Sequence, residues 1–184
     1  MPARRILRAG HPLLRRVAEP VADPTAPDVA ALVQDMLESL EAAGGIGLAA
    51  PQIGVSRRVV IYCVPEARVT DQPGDAPQPM TVLINPEFTY HTPPGPAGFE
   101  GCLSVPGLIG MVRRSNHLTC THRSLSGETV TFDAFGFHAR VLQHECDHLD
   151  GVLYIDKLAD PTSLVFRDEL ALVAMEEAAH EPSH

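Results

Sequence analysis

The run Gln143-His144-Glu145-Cys146-Asp147-His148-Leu149-Asp150-Gly151 contains His-Glu-x-x-His, two imidazoles four residues apart. On a helix, that spacing stacks side chains one turn above each other on one face, so His144 and His148 can aim at a single ion. Glu145 follows the first of them, where its carboxylate can reach a water held by that ion. A metal-activated water beside a carboxylate base is the equipment of a hydrolase. Upstream, Phe137 to Leu142 is helix-compatible and mostly apolar, interrupted by Arg140; downstream, Gly151 offers a helix stop. The pattern predicts a short helix buried on at least one side, whose histidines need partners there. The alternative is an exposed polar helix that carries two histidines by chance.

Two histidines leave a catalytic site incomplete, because such a metal usually takes three protein ligands and keeps one position open. The other donors are seven further histidines, many carboxylates and four cysteines, Cys63, Cys102, Cys120 and Cys146. Cys146 lies between the two histidines but points to a different helical face. Cys63, in Val59-Val60-Ile61-Tyr62-Cys63-Val64, and Cys120, within Leu118 to Thr121, fit strands and core packing better than ligation. Cys102 differs. It lies in Phe99-Glu100-Gly101-Cys102-Leu103-Ser104-Val105-Pro106-Gly107, where glycine and Pro-Gly fix the backbone and let other groups approach closely.

Three segments together resemble the signature of the peptide deformylase family, metal enzymes that remove the formyl group from new protein chains. They are Gly45-Ile46-Gly47-Leu48-Ala49-Ala50-Pro51-Gln52, Glu100-Gly101-Cys102-Leu103-Ser104, and Gln143 to Gly151, and the surrounding pattern extends from about Ile6 to Leu158. The resemblance implies that Cys102, His144 and His148 hold one divalent metal with water in the fourth position. It implies Fe2+ as the native ion, with Zn2+, Ni2+ or Co2+ able to occupy the site; one thiolate and two imidazoles would suit any of these. It assigns Glu145 as general acid and base, and the Gln52 amide and Leu103 backbone N–H as donors to the developing oxyanion. The substrate it implies is an N-formyl-methionyl peptide. That peptide would lie along Ile46, Gly47 and Gly101, with its methionine side chain in an apolar pocket that includes Ile46, Phe137, Val141 and the flank of His144. Arg140, one turn before His144, would either rim that pocket or face solvent.

Length and charge agree with one catalytic domain over residues 1–184. A formal charge of −9 argues against a nucleic-acid surface, and no apolar run approaches the roughly 20 residues needed to cross a bilayer. Arginine-rich Met1 to Pro20 is broken by Gly10, Pro12 and Glu19 and lacks a signal-like apolar stretch. With few cysteines and one of them implied in metal binding, the expected setting is a reducing bacterial cytoplasm rather than an organelle, and the expected state a monomer. From Asp160 onward six acids face Arg167 alone, so ribosome association through a basic C-terminal helix is not expected. Leu164, Val165, Leu172, Val173 and Met175 should instead pack that helix on the body.

Apolar periodicity predicts an amphipathic helix over Asp28 to Ala43, ending at Gly44-Gly45. Strands are predicted at Val59 to Val64, Thr81 to Asn85, Met111 to Arg123 and Glu128 to Ala134, the last two joined by a turn at Ser124 to Gly127. Pro65 to Pro79 and His91 to Gly98 read as irregular connections, and Thr162 to Ala179 as a final helix. The class is α+β: mostly antiparallel strands around a central metal-binding helix, with N-terminal and C-terminal helices. Two other functions share part of this pattern. A His-Glu-x-x-His metallopeptidase would need no Cys102 segment, and a non-catalytic metal-stabilised binding protein would need neither Glu145 nor Gln52.

Overall fold

The computed structural model describes residues 3–170 and 172. Helix α1 (Pro27–Ala43) starts on a proline and stops at Gly44, whose φ of 66° is a left-handed cap that glycine adopts without strain. Its residues Val29, Leu32, Met36 and Leu40 are buried against Leu48, Ile61 and Ile84 of the sheet. Five strands form that sheet, in the order β1 (Gly47–Ala49), β2 (Val59–Val64), β3 (Gln78–Tyr90), β6 (His117–Arg123) and β7 (Thr129–Phe135). A smaller sheet holds β4 (Pro94–Cys102), β5 (Val105–Ser115) and the short β8 (Val165–Phe166). Every pair within the two sheets is antiparallel.

Strand β2 is apolar throughout because both its faces are covered. Val59 and Ile61 join the α1 core, whereas Val60, Tyr62 and Val64 join a second core with Leu142 and Leu149 of α2 (Gly136–Leu149). Helix α2 thus lies between the larger sheet and the smaller one, in the central place expected of it. Its first turn has no capping side chain of its own. The connection over 65–79 supplies one: Asp75 accepts from the backbone N–H of Phe137 at 2.9 Å and of His138 at 3.3 Å, and from Thr70 at 2.8 Å. Those bonds outweigh the opposing effect of burial and hold the Asp75 carboxyl below its ordinary value.

Three sequence expectations are corrected. The stretch Met111 to Arg123 is two strands in two different sheets, β5 and β6, with Asn116 between them. The chain crosses there because the Gln143 amide clamps Ser115, accepting from its N–H at 3.1 Å and donating to its carbonyl at 2.9 Å, while Thr92 Oγ1 accepts from the N–H groups of Asn116 and His117. The connection His91 to Gly98 is mostly strand, since β4 begins at Pro94; β3 likewise extends well beyond Thr81 to Asn85, bending at Asn85, where φ is 52°. Finally, Thr162 does not open a helix. Pro161–Ser163 is a single 3₁₀ turn capped by the Asp160 carboxylate, and Val165 pairs with Ile109 as strand. Helical geometry is found over 167–170 and at Leu172; residues 171 and 173–184, including Val173 and Met175, lie outside the described residues. Leu164 packs on the small sheet's core, but Leu172 is 52% exposed and does not pack on the body as expected. Among the described residues no helix is long and apolar enough to cross a membrane.

Candidate metal centre

Helix α2 presents His144 and His148, both buried, toward the end of β4, where Cys102 ends the strand. One ligand atom from each residue lies within 4.8 Å of the other two, and Cys102 Sγ is 3.3 Å from His148 Nε2. Cys146, on the opposite side of α2, is sealed in the core, where burial pushes its thiol well above the usual range. Cys120 is likewise in the core, with its thiol pushed up to about 12, and Cys63 is raised by burial too. None of the three belongs to the cluster of ligand atoms formed by Cys102, His144 and His148.

The polar face of α2 is fixed by a network that sequence reasoning missed. Glu100, two residues before Cys102 on β4, accepts from His144 Nδ1 at 2.9 Å. Arg114 of β5 grips the same carboxylate with two 2.9 Å bonds and reaches Asp147 of α2 at 2.6 Å. Burial alone would drive the Glu100 carboxyl up, but the bonds from Arg114 and His144 outweigh it and hold it well below the carboxylate range. The imidazole Nδ1–H is thereby committed to Glu100, which leaves Nε2 as the atom free to ligate. Arg140, open between rim and solvent in sequence, is at the rim and is tied down there. It lines the cleft and binds Glu100 Oε1 and the Val112 carbonyl, each at 2.9 Å. Glu100 was legible as a carboxylate beside the cysteine in the second signature segment; Arg114 carries no local signal at all.

Glu145 is buried with Oε2 lacking any hydrogen-bond partner, and burial pushes its carboxyl up to about 7. The strand opposite makes room for it: a Cβ on Gly47 would stand 2.2 Å from Glu145 Oε1. Gln52 is buried in the 3₁₀ turn Ala50–Ile53 rather than exposed at a loop. Its Oε1 accepts from Ala49 N–H at 2.8 Å, which turns its Nε2 toward Ser104 Oγ at 3.1 Å and Cys102 Sγ at 3.5 Å. A cleft of about 440 Å³ opens over these groups. Ile46, Gly47, Gly101, Leu103, Phe137 and Val141 all line it, together with Gln52, Cys102, His144 and Glu145; His148 sits behind Cys102.

The donors suit a cation. A thiol, two imidazoles and a partnerless carboxylate converge in a buried space, where uncompensated polar groups are costly. Hydrogen bonds to Cys102 and Glu100 outweigh burial at His144 and hold it well above its ordinary value. His148 is pushed the opposite way by burial, His144 and Arg114, into the neutral form a ligand needs.

With that geometry in place, the chain matches the polypeptide deformylase family model over residues 3–163. The chain belongs to the polypeptide deformylase family. It is 46% identical over 168 residues to Peptide deformylase 2 of Ralstonia nicotianae, covering 91% of this chain and 93% of that protein. Peptide deformylase 1 of Bordetella pertussis is 44% identical over 166 residues, with 90% and 93% covered. The crystal structure of peptide deformylase from Thermotoga maritima superposes with a TM-score of 0.75 at 34% identity, covering 87% of this chain and all of that one. A Met-Ala-Ser-bound class I type b peptide deformylase from Acinetobacter baumannii gives 0.76 at 32% identity, covering 85% and 98%. The enzyme is a metal-dependent hydrolase that removes the N-formyl group from the N-terminal formyl-methionine of newly made polypeptides, releasing formate. The α+β fold is shared with these structures.

Proposed function

We propose that Cys102, His144 and His148 hold the metal, that Glu145 is the general acid and base, and that Gln52 Nε2 and the Leu103 N–H stabilise the oxyanion. The observation that carries this reading is Glu145 Oε2, buried without a hydrogen-bond partner, beside the three convergent ligand atoms of Cys102, His144 and His148. A divalent cation held by Cys102, His144 and His148 would supply Lewis acidity toward the formyl carbonyl and lower the pKa of water at neutral pH. Glu145 takes the attacking water's proton and returns it to the departing amine. Gln52, its amide already oriented by Ala49, donates to the oxygen on which charge develops.

The peptide backbone runs beside Ile46, Gly47 and Gly101, and the methionine side chain enters the apolar end of the cleft between Ile46, Phe137 and Val141. The Met-Ala-Ser complex of the Acinetobacter relative supports a short peptide as the kind of ligand this chain takes. Residues 1–184 act as one catalytic domain and as a monomer in the bacterial cytoplasm. The native ion is Fe2+, with Zn2+, Ni2+ or Co2+ able to replace it; anaerobic purification with metal analysis tests that assignment. Any ribosome contact is made by a surface other than the acidic C-terminal segment.

Matched formyl- and acetyl-Met-Ala-Ser peptides test the site. The acetyl methyl group crowds the carbonyl's approach between Gln52 and Leu103, and misplacement of about 1 Å costs on the order of 10² in rate. Comparable kcat/KM on the two peptides would refute the arrangement.

A further inference from the structure

A second group of metal-ligand residues lies on the outer face of the larger sheet, outside the catalytic segments. His91 follows β3, His117 opens β6 and Asp133 belongs to β7. Strand register brings them together: Thr119 of β6 stands opposite Asp133, His117 opposite Phe135, and His91 donates its N–H to the His117 carbonyl at 3.0 Å. One ligand atom from each of the three lies within 4.8 Å of the other two.

The cluster is held in advance. Thr119 Oγ1 donates to Asp133 Oδ1 at 2.6 Å and contacts His91 Nε2 at 2.6 Å, so one hydroxyl turns both residues inward. The His117 ring is clamped between His91, 4.4 Å away by ring centres, and Phe135, stacked at 4.3 Å. Its Nε2 is buried without a hydrogen-bond partner and lies 3.8 Å from Asp133 Oδ1. Two ligands bonded tetrahedrally at about 2.0–2.1 Å to one zinc-sized ion stand roughly 3.4 Å apart, so closing this pair takes only a few tenths of an ångström. Two imidazoles and a carboxylate, open on the solvent side for water, are the donors that borderline divalent cations accept.

We infer that His91, His117 and Asp133 form a second, outward-facing site for a divalent transition-metal cation. Binding replaces the contact between His91 and Thr119 and gives the partnerless His117 nitrogen a ligand. The ion ties β3, β6 and β7 together at the root of α2, because Phe135, stacked on His117, is the residue from which that helix departs, and Gly136 N–H bonds the Asn116 carbonyl. The site therefore adds stability and takes no part in the chemistry at Cys102.

Titration of the full-length metal-free protein with Co2+ tests this, with bound cobalt counted after dialysis. Two equivalents per chain are expected, of which one gives thiolate-to-cobalt charge-transfer absorption and one does not. His117→Ala and, as a milder change, Asp133→Asn should weaken the second equivalent at least about tenfold, the lower bound for disturbing a metal's ligand sphere. Both variants should keep the charge-transfer band and the rate of formate release, and Cys102→Ala should keep the outer equivalent. One equivalent in the parent protein, or a second equivalent unmoved in both outer-site variants, would overturn the proposal and leave a hydrogen-bonded surface cluster.

Discussion

The two long faces of α2 obey the same helical spacing and do opposite work. Ala139, Leu142, Cys146 and Leu149 point into the core of the larger sheet, where nothing but apolar contact is asked of them. Arg140, Gln143, His144 and Asp147 point toward the smaller sheet, and each makes a directed bond to a strand or to the segment that follows one. The apolar face fixes where the helix lies; the polar face fixes how its side chains are aimed. If that division is right, changes on the polar side should disturb metal and rate with the fold kept, and changes on the apolar side should do the reverse.

The largest effect is expected from Cys102→Ala. Two imidazoles make an incomplete site, so metal content should fall and formate release should be lost, while circular dichroism stays close to that of the parent because only one partly buried contact with the small sheet's core is removed. Full metal occupancy in this variant would break the assignment. Next comes Glu100→Gln, which keeps the shape but exchanges a carboxylate for an amide in front of His144 Nδ1 and Arg114. Losing an orienting carboxylate of this kind typically costs about 10- to 100-fold in metal affinity. Competition with a chelator measures it, and unchanged affinity would show that Glu100 serves only to bind Arg114 and Arg140.

The fold was largely legible because periodicity reports apolar faces: α1, β2 and the buried side of α2 all follow from it. That Cys102, His144, His148, Glu145 and Gln52 meet at one cleft was suggested by their motifs, since local spacing and glycine-rich backbone mark them. What could not be read was contact across sheets. Arg114 and Arg140 meet Glu100 only because β4 and β5 pair beside α2, and Asp75 caps α2 from a connection some 60 residues away in sequence. The break at Asn116 was hidden for the same reason: Met111 to Arg123 has one strand-like composition, and a side chain of α2 divides it. Thr162 to Ala179 has helical composition, yet its start is taken by the edge of the small sheet at Val165–Phe166.

A pH effect on stability is expected from the sheet-facing side as well. His138, buried beside Phe132, shares a 2.9 Å bond with the Tyr62 hydroxyl, and burial lowers its pKa to about 4 against a weaker opposing pull from Asp75. The unfolded chain, with an ordinary histidine near 6.5, therefore binds more protons between the two values. Stability should be full above about pH 6.5 and fall toward pH 4, by on the order of 2 kcal/mol from this residue. Urea unfolding at pH 7 and pH 4.5 checks it, and His138→Gln should flatten that part of the profile. An unchanged profile in the variant would place the titration elsewhere.

The smallest effect separates thiols that ligate from thiols that pack. Cys120 sits in the core and Cys63 on β2, and burial raises both, Cys120 to about 12, so neither offers a thiolate at neutral pH. Replacing either by alanine removes one small buried group and no ligand. The cost should be on the order of 1 kcal/mol of stability, with metal stoichiometry and formate release unchanged. Cys63, less buried than Cys120, should cost the less of the two. Loss of metal from either variant would mean that a thiol outside the Cys102 segment contributes to the centre, and the separation between the two faces of α2 would no longer hold.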